Sequence, residues 1–217
     1  ACPDSPLCVG ELVPQFNFKV FLEWGHRQLA GIIGVVFLAF SAPILLRPAL
    51  RREFGWHVFV LGLVLACQIV LGGLTVLKLL AYWSVTLHLL FGNTFMALLI
   101  SLSARLALAG HLAVGITLAT RRWAIALGLM VAVQLALGGL VSSNYAGLAC
   151  TEGPTCNGGV WFPTFTGIVG LQLWHRLGAY LLTALAIRFA VSVRDSPSLR
   201  RFAGAILALI AIQIVLG

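Results

Sequence analysis

Charged side chains are scarce in this sequence. Of its 217 residues only 9% are charged and 60% are hydrophobic, whereas charged residues make up about 25% of a soluble domain. With a mean hydropathy of +1.03, too few polar side chains remain to cover a water-soluble fold. Several apolar runs reach the roughly 20 residues that cross a hydrocarbon core. The composition therefore excludes a soluble protein and predicts transmembrane helices, whose backbones satisfy their own hydrogen bonds.

Acidic residues are the scarcest charged class. Six Asp and Glu stand against 14 Lys and Arg, which gives a net charge of +8. A basic excess is also typical of nucleic-acid-binding proteins, where it follows one face or one helix. Here the basic residues form short groups between apolar runs. We therefore expect no nucleic-acid partner, a lipid bilayer as the surroundings, and basic groups that set the membrane topology.

The apolar runs and the arginines together predict a topology. We place six spans at residues 24–46, 56–77, 83–106, 123–141, 171–193 and from 202 onward. Arginines follow the first, third and fifth spans, so these loops should be cytoplasmic. Loops 1–21 and 144–170 should then lie outside, which suggests a bacterial inner membrane with these loops in the periplasm. A mitochondrial inner membrane would show a similar polarity. The arginines concerned are Arg47, Arg51, Arg52, Arg105, Arg121, Arg122, Arg188, Arg194, Arg200 and Arg201.

Cysteines are few, and four of the five lie in the predicted outer loops. An oxidising compartment permits disulfides, so we predict two local bridges, Cys2 with Cys8 and Cys150 with Cys156. The fifth, Cys67, lies within a span and is expected to be a small packing residue.

The sequence contains an internal repeat. Residues 1–10 return as residues 149–158 with the same cysteine spacing, and the pair His26-Arg27 returns as His175-Arg176. Both copies run outer loop, span, inner loop, span, so a pseudo-two-fold axis along the membrane normal should relate them.

The repeat predicts the fold class and the domains. We expect an all-α transmembrane protein of two pseudo-symmetric four-helix bundles, with about eight spans when complete. We expect the N-terminal half, 1–110, to lack its first span and the C-terminal half, 111–217, to lack its last, which leaves the six spans identified above.

Three histidines lie close to the outer ends of their spans: His26, His88 and His175. Ionisable groups within spans are costly and usually mark function, and histidines on facing helices can hold a heme iron between them. We predict that His26 pairs with His88, and that the partner of His175 lies beyond residue 217. Zinc is disfavoured because no further His or Asp joins the cluster. His57 and His111 are expected to be structural.

Glu23 precedes His26 by three residues, so a helix places both on one face. The matching position before His175 is Gln172, which cannot ionise. This difference suggests a catalytic first half and an electron-transferring or structural second half. The alternative is an interfacial Glu23 that only pairs with Arg27. Arg27 and Arg176 either contact heme propionates or anchor the interface.

These motifs together resemble the heme A synthase family over nearly the whole chain. The residues that carry the resemblance are Glu23-Trp24-Gly25-His26-Arg27, Leu87-His88, Trp174-His175-Arg176 and the two outer cysteine pairs. The resemblance implies an oxidoreductase that converts a ring methyl of heme O into a formyl group, giving heme A for terminal oxidases. It also implies heme b as cofactor, and heme O synthase and cytochrome oxidase assembly factors as partners.

The resemblance further implies residue roles. His26 and His88 would flank the substrate heme, Glu23 would be the catalytic carboxylate, and His175 would be a ligand of the heme b iron. The Cys2–Cys8 disulfide would lie near the substrate half, and the Cys150–Cys156 disulfide would stabilise the second loop.

Two alternatives from other classes remain at this point. A membrane thiol-disulfide oxidoreductase would explain the outer cysteine pairs but not the aligned histidines. A non-catalytic bis-histidine electron-transfer or heme-delivery protein would need the histidines alone, and Glu23 argues against it.

Overall fold

The computed structural model describes residues 10–11, 13–107 and 115–216. Every long element in these ranges is an α-helix, which confirms the predicted all-α class. The helices are α1 (Phe18–Leu46), α2 (Pro48–Leu77), α3 (Tyr82–Ala107), α4 (Leu118–Ser143), α5 (Gly167–Ser192) and α6 (Pro197–Leu216). Two short 3-10 turns, Ala146–Leu148 and Asn157–Gly159, lie in the loop between α4 and α5.

Five of these helices, α1, α2, α3, α4 and α6, are long and apolar enough to cross a membrane. Helix α5 has 26 residues and is also long enough, but polar residues such as Gln172, His175 and Arg176 lower its hydropathy. Seven residues of α5 are buried, among them Gln172, Leu173 and Gly178. Because other protein segments cover α5, it does not need an apolar surface all round. The chain is an integral membrane protein.

The helices extend beyond the predicted spans, because helical hydrogen bonding continues past the apolar residues. Helix α1 begins at Phe18 rather than at residue 24, and the side chain of Asn17 accepts a hydrogen bond from the Lys19 backbone N–H at its start. Helix α2 begins at Pro48, directly after Arg47. Proline suits the first helical position because the backbone N–H that it lacks would have no helical partner there.

Contacts divide the chain into two compact units. The first contains α1, α2 and the part of α3 from Phe91 onward. Its core joins these three helices through Phe37, Ile44, Phe54, Val58, Leu61, Phe95 and Leu102. The second contains residues 81–90, α4, α5 and α6. The predicted division into halves at residue 110 stays a prediction.

Helices α4 and α5 pack along each other in the second unit. Thr120 Oγ1 donates a hydrogen bond to the Ser192 carbonyl oxygen at 3.3 Å, and the Arg188 guanidinium lies 4.9 Å from the centre of the Trp123 ring. The apolar core comprises Leu127, Leu182, Ala186, Phe189, Val193 and Ala203. This packing fixes the two helices that carry the contacts of His175.

Candidate functional site

The carboxylate of Glu23 forms an ion pair on α1. Its Oε1 lies 2.7 Å from Nη2 of Arg27, with 29% of the Glu23 side chain and 20% of the Arg27 side chain exposed. His26 lies between them in the sequence and is exposed. The ion pair proposed as the alternative role of Glu23 is therefore present. It also holds a partly buried carboxylate within one helical turn of the His26 imidazole.

The second copy of this motif, on α5, makes different contacts. Gln172 takes the place of Glu23, is buried, and donates from Nε2 to the Gly147 carbonyl oxygen at 3.3 Å. Its Oε1 is buried and accepts no hydrogen bond within the described part of the chain. The amide thus ties α5 to the loop that follows α4 and carries no charge.

Arg176 contacts the outer cysteine loop rather than a carboxylate. Its Nη1 donates to the carbonyl oxygens of Glu152 and Thr155, each at 2.7 Å. Its Nη2 donates to the Cys150 carbonyl oxygen, also at 2.7 Å. Three donors of the guanidinium therefore close the loop onto α5. Sequence reasoning missed this role, because nothing in a sequence signals which carbonyl oxygens an arginine will reach.

The predicted disulfide between Cys150 and Cys156 is present, and both residues are buried. The same loop positions Glu152, whose carboxylate accepts hydrogen bonds from the backbone N–H groups of Gly159 at 2.8 Å and Gly158 at 3.1 Å. These bonds favour the ionised form and lower the pKa of Glu152 below its ordinary value. The other predicted bridge, Cys2–Cys8, lies outside the described residues.

His175 lies half-buried on α5 beside α4. Nε2 of Gln134 lies 3.1 Å from the ring Nδ1 and 2.9 Å from the His175 carbonyl oxygen. Gly138, one turn further along α4, faces the ring: a Cβ there would lie 3.1 Å from Cε1 of His175. The next residue, Gly139, faces Thr86 of α3 in the same way, at 3.1 Å from its Cγ2. The glycine pair thus admits close neighbours on both sides of α4.

The remaining histidines are His26, His57, His88 and His111. His88 is half-buried in the part of α3 that belongs to the second unit, whereas His26 belongs to the first unit. The predicted His26–His88 pair stays a prediction. His57 contacts Arg105, with 2.6 Å between Nε2 and Nη1, so its contact is with a cation at the other end of α3. His111 lies outside the described residues.

Among residues 10–11, 13–107 and 115–216, no group of three or more His, Cys, Asp or Glu side chains is placed to hold a bare metal ion. A heme iron needs only axial ligands from the protein, because the macrocycle supplies the others.

The fold and these side chains define an all-α integral membrane protein with single histidines near helix ends and a disulfide-closed loop between helices. A family model described as cytochrome oxidase assembly protein (COX15-CtaA) matches residues 6–217. The chain belongs to this family.

Similar relatives carry one name. The chain is 32% identical to the heme A synthase of Symbiobacterium thermophilum, over 98% of this chain and 72% of that protein. It is 32% identical to the heme A synthase of Methylobacterium nodulans, over 96% of this chain and 64% of that protein. It is 28% identical to that of Shewanella oneidensis, over 100% of this chain and 77% of the relative. The chain thus spans between 64% and 77% of the length of these relatives.

Proposed function

We propose that this chain is a heme A synthase, an oxidoreductase that converts a ring methyl of heme O into a formyl group by successive hydroxylations. Its family and the names of its relatives support this activity. The structural observation that carries the proposal is the difference between the two motifs: a carboxylate, Glu23, lies on α1, whereas a buried neutral amide, Gln172, takes its place on α5. Only one of the two repeated motifs holds a carboxylate, which is the asymmetry expected when one half performs the chemistry.

Glu23 is the proposed catalytic residue, and His26 and His88 are the proposed residues that flank the substrate heme. A fixed carboxylate can stabilise a cation that develops at the oxidised carbon, or orient a water molecule toward it. Arg27 contacts the Glu23 carboxylate and restricts its rotamers, so it acts as a positioning residue. Because Arg27 already contacts Glu23, the ion pair supports this role better than contact with a heme propionate.

The residues around His175 fit a second heme, which we propose is heme b. Gln134 contacts Nδ1 of the imidazole, so Nε2 is the ring nitrogen left for an iron. Gly138 lets the imidazole lie close against α4, since a Cβ there would lie 3.1 Å from Cε1 of the ring. When bound, heme b would supply one-electron redox chemistry to this half. Arg176 has a structural role in the loop in addition to any contact with a propionate.

The proposal includes a location and partners. The chain would lie in a bacterial inner membrane with its cysteine loops in the periplasm, as the arginines at the opposite helix ends indicate. Heme O synthase would supply the substrate, and cytochrome oxidase assembly factors would receive the product. The buried Cys150–Cys156 disulfide argues against thiol exchange at the second loop, since exchange requires access of a thiolate to a sulfur.

Replacing Glu23 with glutamine tests the proposal. Glu23→Gln keeps the size of the side chain and removes the charge, so we expect heme A formation to be lost while bound heme is retained. The measurement is chromatography of hemes extracted from membranes that are supplied with heme O. Glu53→Gln, an exposed carboxylate on α2, is the matched control and should keep full activity. Full activity of Glu23→Gln would refute the catalytic assignment.

A further inference from the structure

Gln134 is the polar side chain of α4 that lies against the His175 ring. Its Nε2 is 3.1 Å from Nδ1 and 2.9 Å from the carbonyl oxygen of the same residue. Its Oε1 is buried and has no hydrogen-bond partner in the part of the chain that the structure describes. An amide with one satisfied end and one unsatisfied buried end is costly, which calls for an explanation beyond packing.

Two glycines make room for this pair of side chains. A Cβ at Gly178, on α5, would collide with Oε1 of Gln134. A Cβ at Gly138, on α4, would press on the His175 ring. Larger residues at either position would displace the amide or the imidazole. The backbone of both helices is therefore shaped around the contact between Gln134 and His175.

The amide determines which tautomer His175 adopts. A neutral imidazole carries a proton on one nitrogen and a lone pair on the other. In the observed orientation, Nε2 of Gln134 has two protons to donate, one to the carbonyl oxygen and one to Nδ1. Nδ1 then accepts, and the proton of the imidazole resides on its own Nε2. With that proton in place, neither ring nitrogen offers a lone pair to an iron.

Ligation through the ring Nε2 requires the opposite arrangement, with the proton on Nδ1 and an acceptor facing it. Turning the Gln134 amide over brings Oε1 to that place, and the amide must also draw away from the His175 carbonyl oxygen, because two acceptor oxygens repel each other at 2.9 Å. Oε1 thereby gains a hydrogen bond, and Nε2 gives up its contacts with Nδ1 and the carbonyl oxygen. Metal-ligating histidines usually donate their second ring N–H to an oxygen of this kind.

We propose that Gln134 is the positioning residue of His175: its amide selects the tautomer and turns over when the ring Nε2 becomes a ligand. The inference rests on the proposed function, because it takes His175 as a heme ligand. It adds a residue outside the histidine–arginine and cysteine motifs, on a helix that precedes the loop carrying the second cysteine pair.

The first test needs no heme. Nitrogen-15 NMR of labelled heme-free protein in detergent reports the tautomer of each histidine, and a His175→Ala sample assigns the relevant signals. In the parent protein we expect His175 with its proton on Nε2. In Gln134→Leu we expect a mixture of both tautomers. Gln213→Leu, an exposed glutamine on α6, is the matched control and should leave the signals unchanged. Signals of His175 that do not respond to Gln134→Leu would overturn the proposal.

The second test uses heme. Gln134→Leu should weaken heme retention about 10-fold, the usual effect of losing such a partner. Gln134→Glu should retain heme and lower its midpoint potential, because a carboxylate accepts the Nδ1 proton more strongly and makes the ligand more electron-donating. Packing alone would not shift the potential in this way, and a parental potential in Gln134→Glu contradicts the proposal.

The two tests separate this inference from the proposed function. Parent protein that fails to bind heme, yet shows the NMR response, refutes the heme role and leaves the pairing of Gln134 with His175 intact. Normal heme binding without any response to the Gln134 variants refutes the inference alone.

Discussion

At the scale of single residues, Arg27 and Arg176 occupy equivalent positions in the repeat but make different contacts. Each arginine directly follows a histidine, and the sequence assigns both the same role. In the structure Arg27 pairs with a carboxylate on its own helix, whereas Arg176 donates to three carbonyl oxygens of a loop. The contact of Arg27 was predictable, because residues four apart on a helix are neighbours. The contacts of Arg176 were not, because they depend on a loop conformation.

Gly178 gives a prediction at the same scale. Gly178→Ala would place a methyl group against Oε1 of Gln134, so we expect the free energy of unfolding to fall by about 1–3 kcal/mol, as for other overpacked sites. Gly204→Ala on α6 is the control: no atom lies within 4 Å of its added Cβ, and alanine favours helices over glycine. Thermal unfolding of both variants in detergent measures the difference. Equal melting temperatures would contradict the close contact.

At the scale of elements, the sequence predicted which segments are helices but not where they end. Apolar periodicity and length identify a span, while the last turns depend on caps such as Asn17, which adds a polar start to α1. Helix α5 is harder to recognise from its sequence, because its polar residues make it less apolar than the other five helices. Local spacing predicted the Cys150–Cys156 bridge correctly. The arginine and the glutamate that organise the same loop gave no signal.

The loop between α4 and α5 should depend on Arg176 for protection of its disulfide. Lysine keeps the charge of arginine but lacks the planar fork that reaches several acceptors at once. We therefore expect Arg176→Lys to increase the rate at which dithiothreitol reduces the Cys150–Cys156 bond. Labelling of released thiols over time measures this rate, with the exposed Arg201→Lys on α6 as control. Identical rates in both variants would show that the three hydrogen bonds do not shield the disulfide.

The same loop should respond to acid. Backbone hydrogen bonds from Gly159 and Gly158 lower the pKa of Glu152 in the folded loop. The stabilisation that ionised Glu152 gives the folded loop is therefore fully present above the ordinary carboxyl pKa. It is lost as the pH falls through the lowered pKa of the folded state. Hydrogen exchange of the two glycine amides should become faster in that acidic range. Glu152→Gln should remove the pH dependence, and an unchanged profile in that variant would exclude Glu152 as its source.

At the scale of the whole molecule, the membrane orientation is open to a direct test. We expect a cysteine introduced at Gly147, in the exposed loop after α4, to react with a membrane-impermeant maleimide in intact cells. A cysteine introduced at Asp195, between α5 and α6, should react only after the membrane is permeabilised. Both positions are exposed, and a Cys67→Ser background removes the free thiol of α2. The reverse pattern would invert the predicted topology.

The sequence predicted the broad class of the molecule because composition and the placement of arginines are properties of long segments and do not depend on tertiary contacts. It also drew attention to the histidines, since ionisable groups stand out in apolar spans, and their roles as ligands stay predictions. It did not single out Gln134 as a partner of His175, because the contact joins residues on different helices and is made by a neutral amide. Sites of this kind become visible only when packing is known.

Helix α3 has a mechanical consequence. Its first turns contribute Thr86 to the contact with Gly139, and its later turns contribute Phe95 and Leu102 to the core around α1 and α2. A hydrogen-bonded helix resists stretching, because its rise is fixed at about 1.5 Å per residue. Because the spacing of Thr86 and Phe95 along α3 depends on those hydrogen bonds, a proline placed between them would disturb the packing of the helix at both residues.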